Sequence, residues 1–128
     1  MAIRRIDPVA RQLEALGMPR TSAELLSQRG TFLQLSAGTT LCTEGERGLE
    51  AFLLIDGDAQ VLRRDEVITV GPGSVIGELA TLDPRRTRNA TVVAGTDVEV
   101  LVFDVRTFRS LADQADLQAR LAPERVAA

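Results

Sequence analysis

The sequence predicts a mainly β domain with flanking helices, built as an antiparallel barrel or jelly roll. Three observations carry this. Between Thr31 and Phe103, short runs of β-branched and aliphatic residues are cut by turn signals at close spacing. Seven of the ten glycines fall between Gly38 and Gly77, where they separate those runs. On both sides of this region the apolar spacing changes to the three-and-four pattern of helices. The length of 128 residues suits one domain with one core. With four Phe and neither Trp nor Tyr, that core must be built mostly from Val, Leu, Ile and Ala.

Asp7-Pro8 reads as a helix cap followed by proline at the first helical position. Val9, Leu13 and Leu16 then recur at helical spacing, and Gly17 ends the run. Thr21-Ser22 opens a second helix that carries Leu25 and Leu26 and stops at Gly30. Strands are expected over Thr31–Leu35, Thr39–Cys42, Glu50–Ile55, Ala59–Arg64, Val67–Val70, Asn89–Ala94 and Val98–Phe103. Asp56-Gly57 can supply the positive φ of a tight hairpin, and Asp65-Glu66 is expected to turn the next pair. Gly71-Pro72-Gly73 is a loop, and Gly95-Thr96-Asp97 joins the last two strands. The helical period returns with Phe108, Leu111, Leu117 and Leu121, and Pro123 closes it. These boundaries give N-terminal helices over 1–30, a β region over 31–103 and one or two C-terminal helices over 104–122.

Composition excludes several chemistries. All 15 basic residues are Arg, and His and Lys are absent. No Ser-His-Asp or Cys-His nucleophile system, Schiff-base lysine or P-loop lysine can be assembled. His-ligated metal enzymes of the jelly-roll type are disfavoured on the same ground. The net charge of −3 and the short segment after Phe103 argue against nucleic acid as a partner of this chain alone. No apolar run approaches the ~20 residues of a membrane span, and the N-terminus lacks a signal-like apolar segment. The single Cys42 reads as a small core residue in a reducing, cytoplasmic setting.

The least generic stretch is Gly77-Glu78-Leu79-Ala80, with Arg88-Asn89-Ala90-Thr91 after it. A glycine at a corner lets the backbone approach a ligand closely. Free N–H groups at a helix start attract an anion. An ionised Glu78 can only accept hydrogen bonds, so it suits a ligand with hydroxyl donors. An arginine fork suits phosphate oxygens. By charge alone Arg85, Arg86 and Arg88 compete for that role. A cyclic phosphate on a ribose with a free 2′-hydroxyl satisfies these features together. The bland alternative is a Glu78–Arg88 ion pair closing a loop. Asp56-Gly57-Asp58 reads as a turn, because EF-hand ligand spacing is absent.

At these residues the chain resembles the cyclic-nucleotide-binding domains of the bacterial cyclic-AMP receptor type, shared with regulatory subunits of cyclic-AMP-dependent kinase. Four motifs carry the resemblance in order: Leu35–Leu41 with Glu44-Gly45-Glu46, Phe52–Asp58, Val70–Ala80, and Arg88–Val92. It covers about Thr31 to Leu111. The resemblance implies a β-roll of about eight strands with a phosphate-binding cassette over 76–91. It makes Glu78 the acceptor for the ribose 2′-hydroxyl. It favours Arg88 as the phosphate partner, three residues before Thr91. Backbone groups of Gly77, Leu79 and Ala80 would line the sugar-phosphate, with Asn89 and Ala90 beside it. Ile76 stands where an aromatic is common, and Asn89 where Ala, Ser or Thr is usual, which opens the choice between adenine and guanine. No base-capping residue is identifiable after Phe108.

The expected role is a cytoplasmic, non-enzymatic regulatory sensor of a cyclic nucleotide, cAMP ahead of cGMP, with no other cofactor. It would act through an effector protein or domain that the sequence does not name, and a weak homodimer is compatible with the C-terminal helix. The alternatives are a β-roll interaction module that has lost nucleotide binding or takes another small effector, the sensor half of a DNA-binding regulator, and a carboxylate-based jelly-roll enzyme. The last would need a second convergent acid besides Glu78.

Overall fold

The computed structural model describes residues 7–77, 80–81, 83–112 and 126–127. Helix α1 spans Pro8–Ala15 and α2 spans Arg20–Arg29. Asp7 caps α1, its Oδ1 accepting from the Val9 and Ala10 amides at 3.1 Å each. Its other oxygen accepts from the Ser27 hydroxyl at 2.7 Å, which ties α2 to the start of α1. Contrary to the Thr21-Ser22 expectation, α2 begins one residue earlier, directly after Pro19, and no side chain caps it.

Eight strands form two four-stranded antiparallel sheets: β1 (Thr31–Leu35), β2 (Thr40–Cys42), β3 (Glu50–Asp56), β4 (Ala59–Arg63), β5 (Glu66–Val70), β6 (Val75–Ile76), β7 (Thr91–Ala94) and β8 (Val98–Asp104). One sheet runs β1-β8-β3-β6, and the other runs β2-β7-β4-β5. Helix α3 (Val105–Ala112) follows β8 directly, and a two-residue strand, β9 (Val126–Ala127), pairs in parallel with β6. The expected C-terminal helical segment is described only as α3; its continuation over 113–122 lies outside the described residues.

Strand alternation explains two separate cores. On β3, Ala51, Leu53 and Ile55 face α1, α2 and α3, while Phe52 and Leu54 face the other sheet. On β8, Leu101 and Phe103 join the helical side, and Val98, Val100 and Val102 the inter-sheet side. These strands are therefore apolar at consecutive positions, as both their faces are covered. β4 alternates instead, with Ala59 and Val61 buried between the sheets, Gln60 exposed and Leu62 half-buried on the opposite face.

Two differences from the sequence reading follow from local chemistry. The β4–β5 hairpin pairs Arg63 with Glu66, so its two-residue loop is Arg64-Asp65 and not Asp65-Glu66. Arg64 takes the positive φ of 51° that such a loop needs at its first position. β6 was not expected. It is two residues long, fixed by pairing Phe52 with Ile76 and Leu53 with Val75.

Candidate functional site

The cassette leaves β6 at Ile76, which is fully buried between the sheets, and turns at Gly77 with φ of 82°. Glu78 and Leu79 lie outside the described residues. Ala80 and Thr81 are buried against the start of β3. The chain returns through Asp83, whose carboxylate accepts from the Arg85 amide at 3.0 Å. Arg85 and Arg86 reach the same carboxylate at 3.3 and 3.5 Å, and both side chains are largely exposed. The Arg85 amide is the chief cause holding the Asp83 carboxyl below its ordinary range. These two arginines form the solvated side of a loop.

Arg88 differs from both. It is 5% exposed. Its Nη1 donates to the Gly77 carbonyl at 2.6 Å and its Nη2 to the Glu50 carbonyl at 2.5 Å. Its backbone is pinned independently, Arg88 N donating to Glu46 O at 2.7 Å and Gly45 N to Arg88 O at 2.9 Å. The guanidinium lies directly over Gly77. A Cβ at that position would stand 2.1 Å from Nη1, so only glycine fits under the fork. The fork's positive charge is felt at Cys42, whose thiol burial pushes up and Arg88 partly pulls back.

Thr81 completes the arrangement, and nothing in the sequence singled it out. Its hydroxyl stands 2.7 Å from Gly77 O and 2.9 Å from Glu50 O, the same two carbonyls that accept from Arg88. The Thr81 amide also donates to Gly77 O at 3.2 Å. The only advance signal was the i,i+4 spacing from the corner glycine, which allows a threonine to bond backwards.

A cleft of about 800 Å³ opens beside Arg88. Glu44 and Gly45 form one wall, the Arg63–Glu66 hairpin end another, and Thr87, Arg88 and Asn89 the third. Its size lies within the range of roughly 300–1,000 Å³ usual for small-molecule sites. Asn89 is exposed at this wall, whereas the Ala90 side chain is fully buried between the sheets. On β5, which begins at the cleft-lining Glu66, Ile68 pairs with the buried Val61 and so shares its inner face, yet Ile68 is 43% exposed. It forms an uncovered apolar ledge. The structure thus brings Gly77, Ala80 and Arg88 to one corner, with Asn89 on the cleft wall beside it. Among the described residues no group of three or more His, Cys, Asp or Glu could hold a metal ion, and no helix is long and apolar enough to cross a membrane.

On the far side of the cassette, a second cleft of about 250 Å³ is lined in part by Ala80, Thr81, Val105 and Arg109. The cassette and the start of α3 therefore share a wall. Phe108 and Leu111 anchor α3 in the helical core, and the Phe103 and Phe108 rings are 6.3 Å apart.

Residues 32–115 match the family model described as "Cyclic nucleotide-binding domain". The chain is 37% identical over 92 residues to "Pycsar effector protein PaPycTIR" of Pseudomonas aeruginosa, covering 71% of this chain and 30% of that protein. It is 33% identical over 92 residues to a "CRP-like cAMP-activated global transcriptional regulator" of Mycobacterium tuberculosis, covering 66% and 40%. Among solved structures, "cAMP bound PfPKA-R (141-441)" superposes with a TM-score of 0.70 at 26% identity, over 88% of this chain and 40% of that one. The chain spans about a third of the length of PaPycTIR and of a second effector, XpPycTIR of Xanthomonas perforans.

Proposed function

Because the chain belongs to the cyclic nucleotide-binding domain family, we propose that its cleft binds a 3′,5′-cyclic nucleotide, cAMP ahead of cGMP, and that the domain is a non-enzymatic regulatory sensor. The observation that carries this reading is the state of Arg88. A buried guanidinium is expensive unless an anion or several dipoles compensate it. Here two N–H groups go to neutral carbonyls, and none of the ion pairs among the described residues involves Arg88. A guanidinium has five N–H donors, and bonds among the described residues engage two, which leaves three to offer phosphate oxygens at the cleft wall. That is enough for the two-pronged contact that makes arginine a phosphate binder.

The rest of the ligand follows from its surroundings. Glu78 accepts from the ribose 2′-hydroxyl, as the family resemblance implies, and the backbone of Gly77, Leu79 and Ala80 lines the sugar-phosphate. The purine lies toward the apolar ledge of Ile68, with Asn89 at its edge. Relatives described as cAMP-activated, cAMP-bound and cGMP-dependent support a cyclic adenine or guanine nucleotide as the ligand class. The signal leaves through the wall that the cassette shares with α3. Ligand binding shifts the population of cassette conformations, and α3 redocks on the helical core. PaPycTIR and XpPycTIR carry this domain within longer proteins, and on that model the responder is an attached or partner module.

Calorimetric titration with cAMP, cGMP and 5′-AMP tests the reading. Saturable binding is expected for cAMP, weaker binding for cGMP, and none for 5′-AMP. Neither heat nor thermal stabilisation from either cyclic nucleotide up to millimolar concentration would overturn it.

A further inference from the structure

We propose that Thr81 is a positioning residue for Arg88: its hydroxyl clips together the two carbonyls that aim the guanidinium at the ligand phosphate. This rests on the reading of Arg88 as the phosphate partner. Four distances carry it. Arg88 Nη1 and Nη2 stand 2.6 and 2.5 Å from the carbonyls of Gly77 and Glu50. The Thr81 hydroxyl stands 2.7 and 2.9 Å from those same two oxygens. The result is a closed ring in which one fork and one hydroxyl share two acceptors.

The two carbonyls lie just past the end of the β3–β6 pairing, whose last pair is Phe52–Ile76, so the ladder itself does not bond them. Glu50 opens β3, and Gly77 is the corner after β6. Thr81 is 1% exposed, so its hydroxyl has no water to turn to and must find its partners in this ring. It carries a single proton, which it can give to either oxygen, while Arg88 supplies the other donors. Valine would fill nearly the same volume without that proton. The residue 81 amide would still hold Gly77 O, but the hydroxyl link to Glu50 O would be lost and the fork's orientation toward the cleft would loosen. Loss of preorganisation lowers affinity although no ligand contact is removed.

Five proteins test the proposal: wild type, Thr81→Val, Thr81→Ser, Arg88→Gln and the Thr81→Val/Arg88→Gln double variant. Each is titrated with cAMP by calorimetry and unfolded in urea. Thr81→Val is expected to weaken cAMP about 2- to 13-fold, the worth of one net hydrogen bond. Thr81→Ser, which keeps the hydroxyl, should return affinity to within about twofold of wild type. In the Arg88→Gln background, Thr81→Val should change affinity less than about twofold, because the group it positions is gone. An equal loss in both backgrounds would mean that Thr81 only supports the corner, and would overturn the proposal. If wild type binds no cyclic nucleotide, the functional reading fails and the urea cycle decides the ring alone. Non-additive losses of stability then sustain the clip, and additive losses remove it. Should Thr81→Val not fold, Thr81→Ala takes its place in the same cycle.

Discussion

Arg88→Ala separates the proposed ligand role of the guanidinium from its role in the fold. Toward the ligand, it removes the charged partner of a phosphate in a largely desolvated site. Such truncations cost about 2–5 kcal/mol, or roughly 30- to several-thousand-fold in affinity. Toward the fold, it takes donors from the Gly77 and Glu50 carbonyls at once. The Thr81 amide still serves Gly77 O and its hydroxyl can serve Glu50 O, so the cost is two lost hydrogen bonds with no orphaned acceptor, about 1–3 kcal/mol in all. For a chain of 128 residues, that is a fall in Tm on the order of 4–11 °C. Relief of the buried charge works the other way, so the observed fall should lie toward the lower figure. Calorimetry with cAMP and scanning calorimetry of the free protein measure the two effects. Arg85→Ala and Arg86→Ala are the matched controls, since both side chains sit in solvent on Asp83, and each should alter affinity less than about twofold. Undiminished binding in Arg88→Ala, or an equal loss in Arg85→Ala, would refute the assignment of the phosphate contact.

Gly77→Ala should be worse for binding than its size suggests. The residue would sit at φ of 82°, at about 1–2 kcal/mol, and its Cβ would displace the Arg88 fork, so at least a tenfold loss of cAMP affinity is expected by titration. Arg64→Gly should act in the opposite direction on stability. Relief of the positive φ at the hairpin tip, less the extra freedom of glycine in the unfolded chain, leaves a gain of about 0.5–1 kcal/mol, read as a higher urea midpoint. Asp7 gives a pH-dependent case. The Ser27 hydroxyl above all, with the Ala10 and Val9 amides, holds its carboxyl below the ordinary range against the pull of burial. The lowered folded value means that its stabilisation is present above the unfolded value and is lost as pH falls through the folded one. Asp7→Asn, which still caps the helix, should therefore flatten the drop in Tm below about pH 4.

Long-range pairing, not local propensity, decided which parts of the fold were legible. β3 and β8 stood out because their positions are apolar on both faces, an uninterrupted signal from Ala51 to Ile55 and from Leu101 to Phe103. The Asp56-Gly57 hairpin was legible because Gly57 takes the positive φ of 84° that its loop requires. The next hairpin shifted by one residue because no Gly or Asn marks it, and an arginine accepts the strained angle instead. β6 escaped notice because two residues after Gly71-Pro72-Gly73 have no periodicity to show. Their strand character is imposed by β3 across the sheet. The start of β7 was overextended for the related reason that Asn89 and Ala90 fit a strand by composition. The structure uses them to bring the cassette back beside the Glu44–Glu46 segment.

The site divides along the same line. Charge could not rank Arg85, Arg86 and Arg88; burial ranks them at once, with Arg88 enclosed and the other two in water. Thr81 was illegible because its meaning depends on the Glu50 carbonyl, 31 residues away in sequence. The kind of partner matters as much as the enclosure. Had a carboxylate satisfied Arg88 in the ring, a phosphate would have to compete with it, and the arriving charge would meet a neutralised pair. Among the described residues, the fork's partners are two neutral carbonyls, which orient it without cancelling its charge. The Coulomb attraction, strengthened by the low local dielectric, is then still available to an anion at the cleft. On the proposed reading, a chain with fifteen arginines reserves one for a phosphate, because the glycine and the two carbonyls around it fix its direction and no carboxylate among the described residues pairs with it.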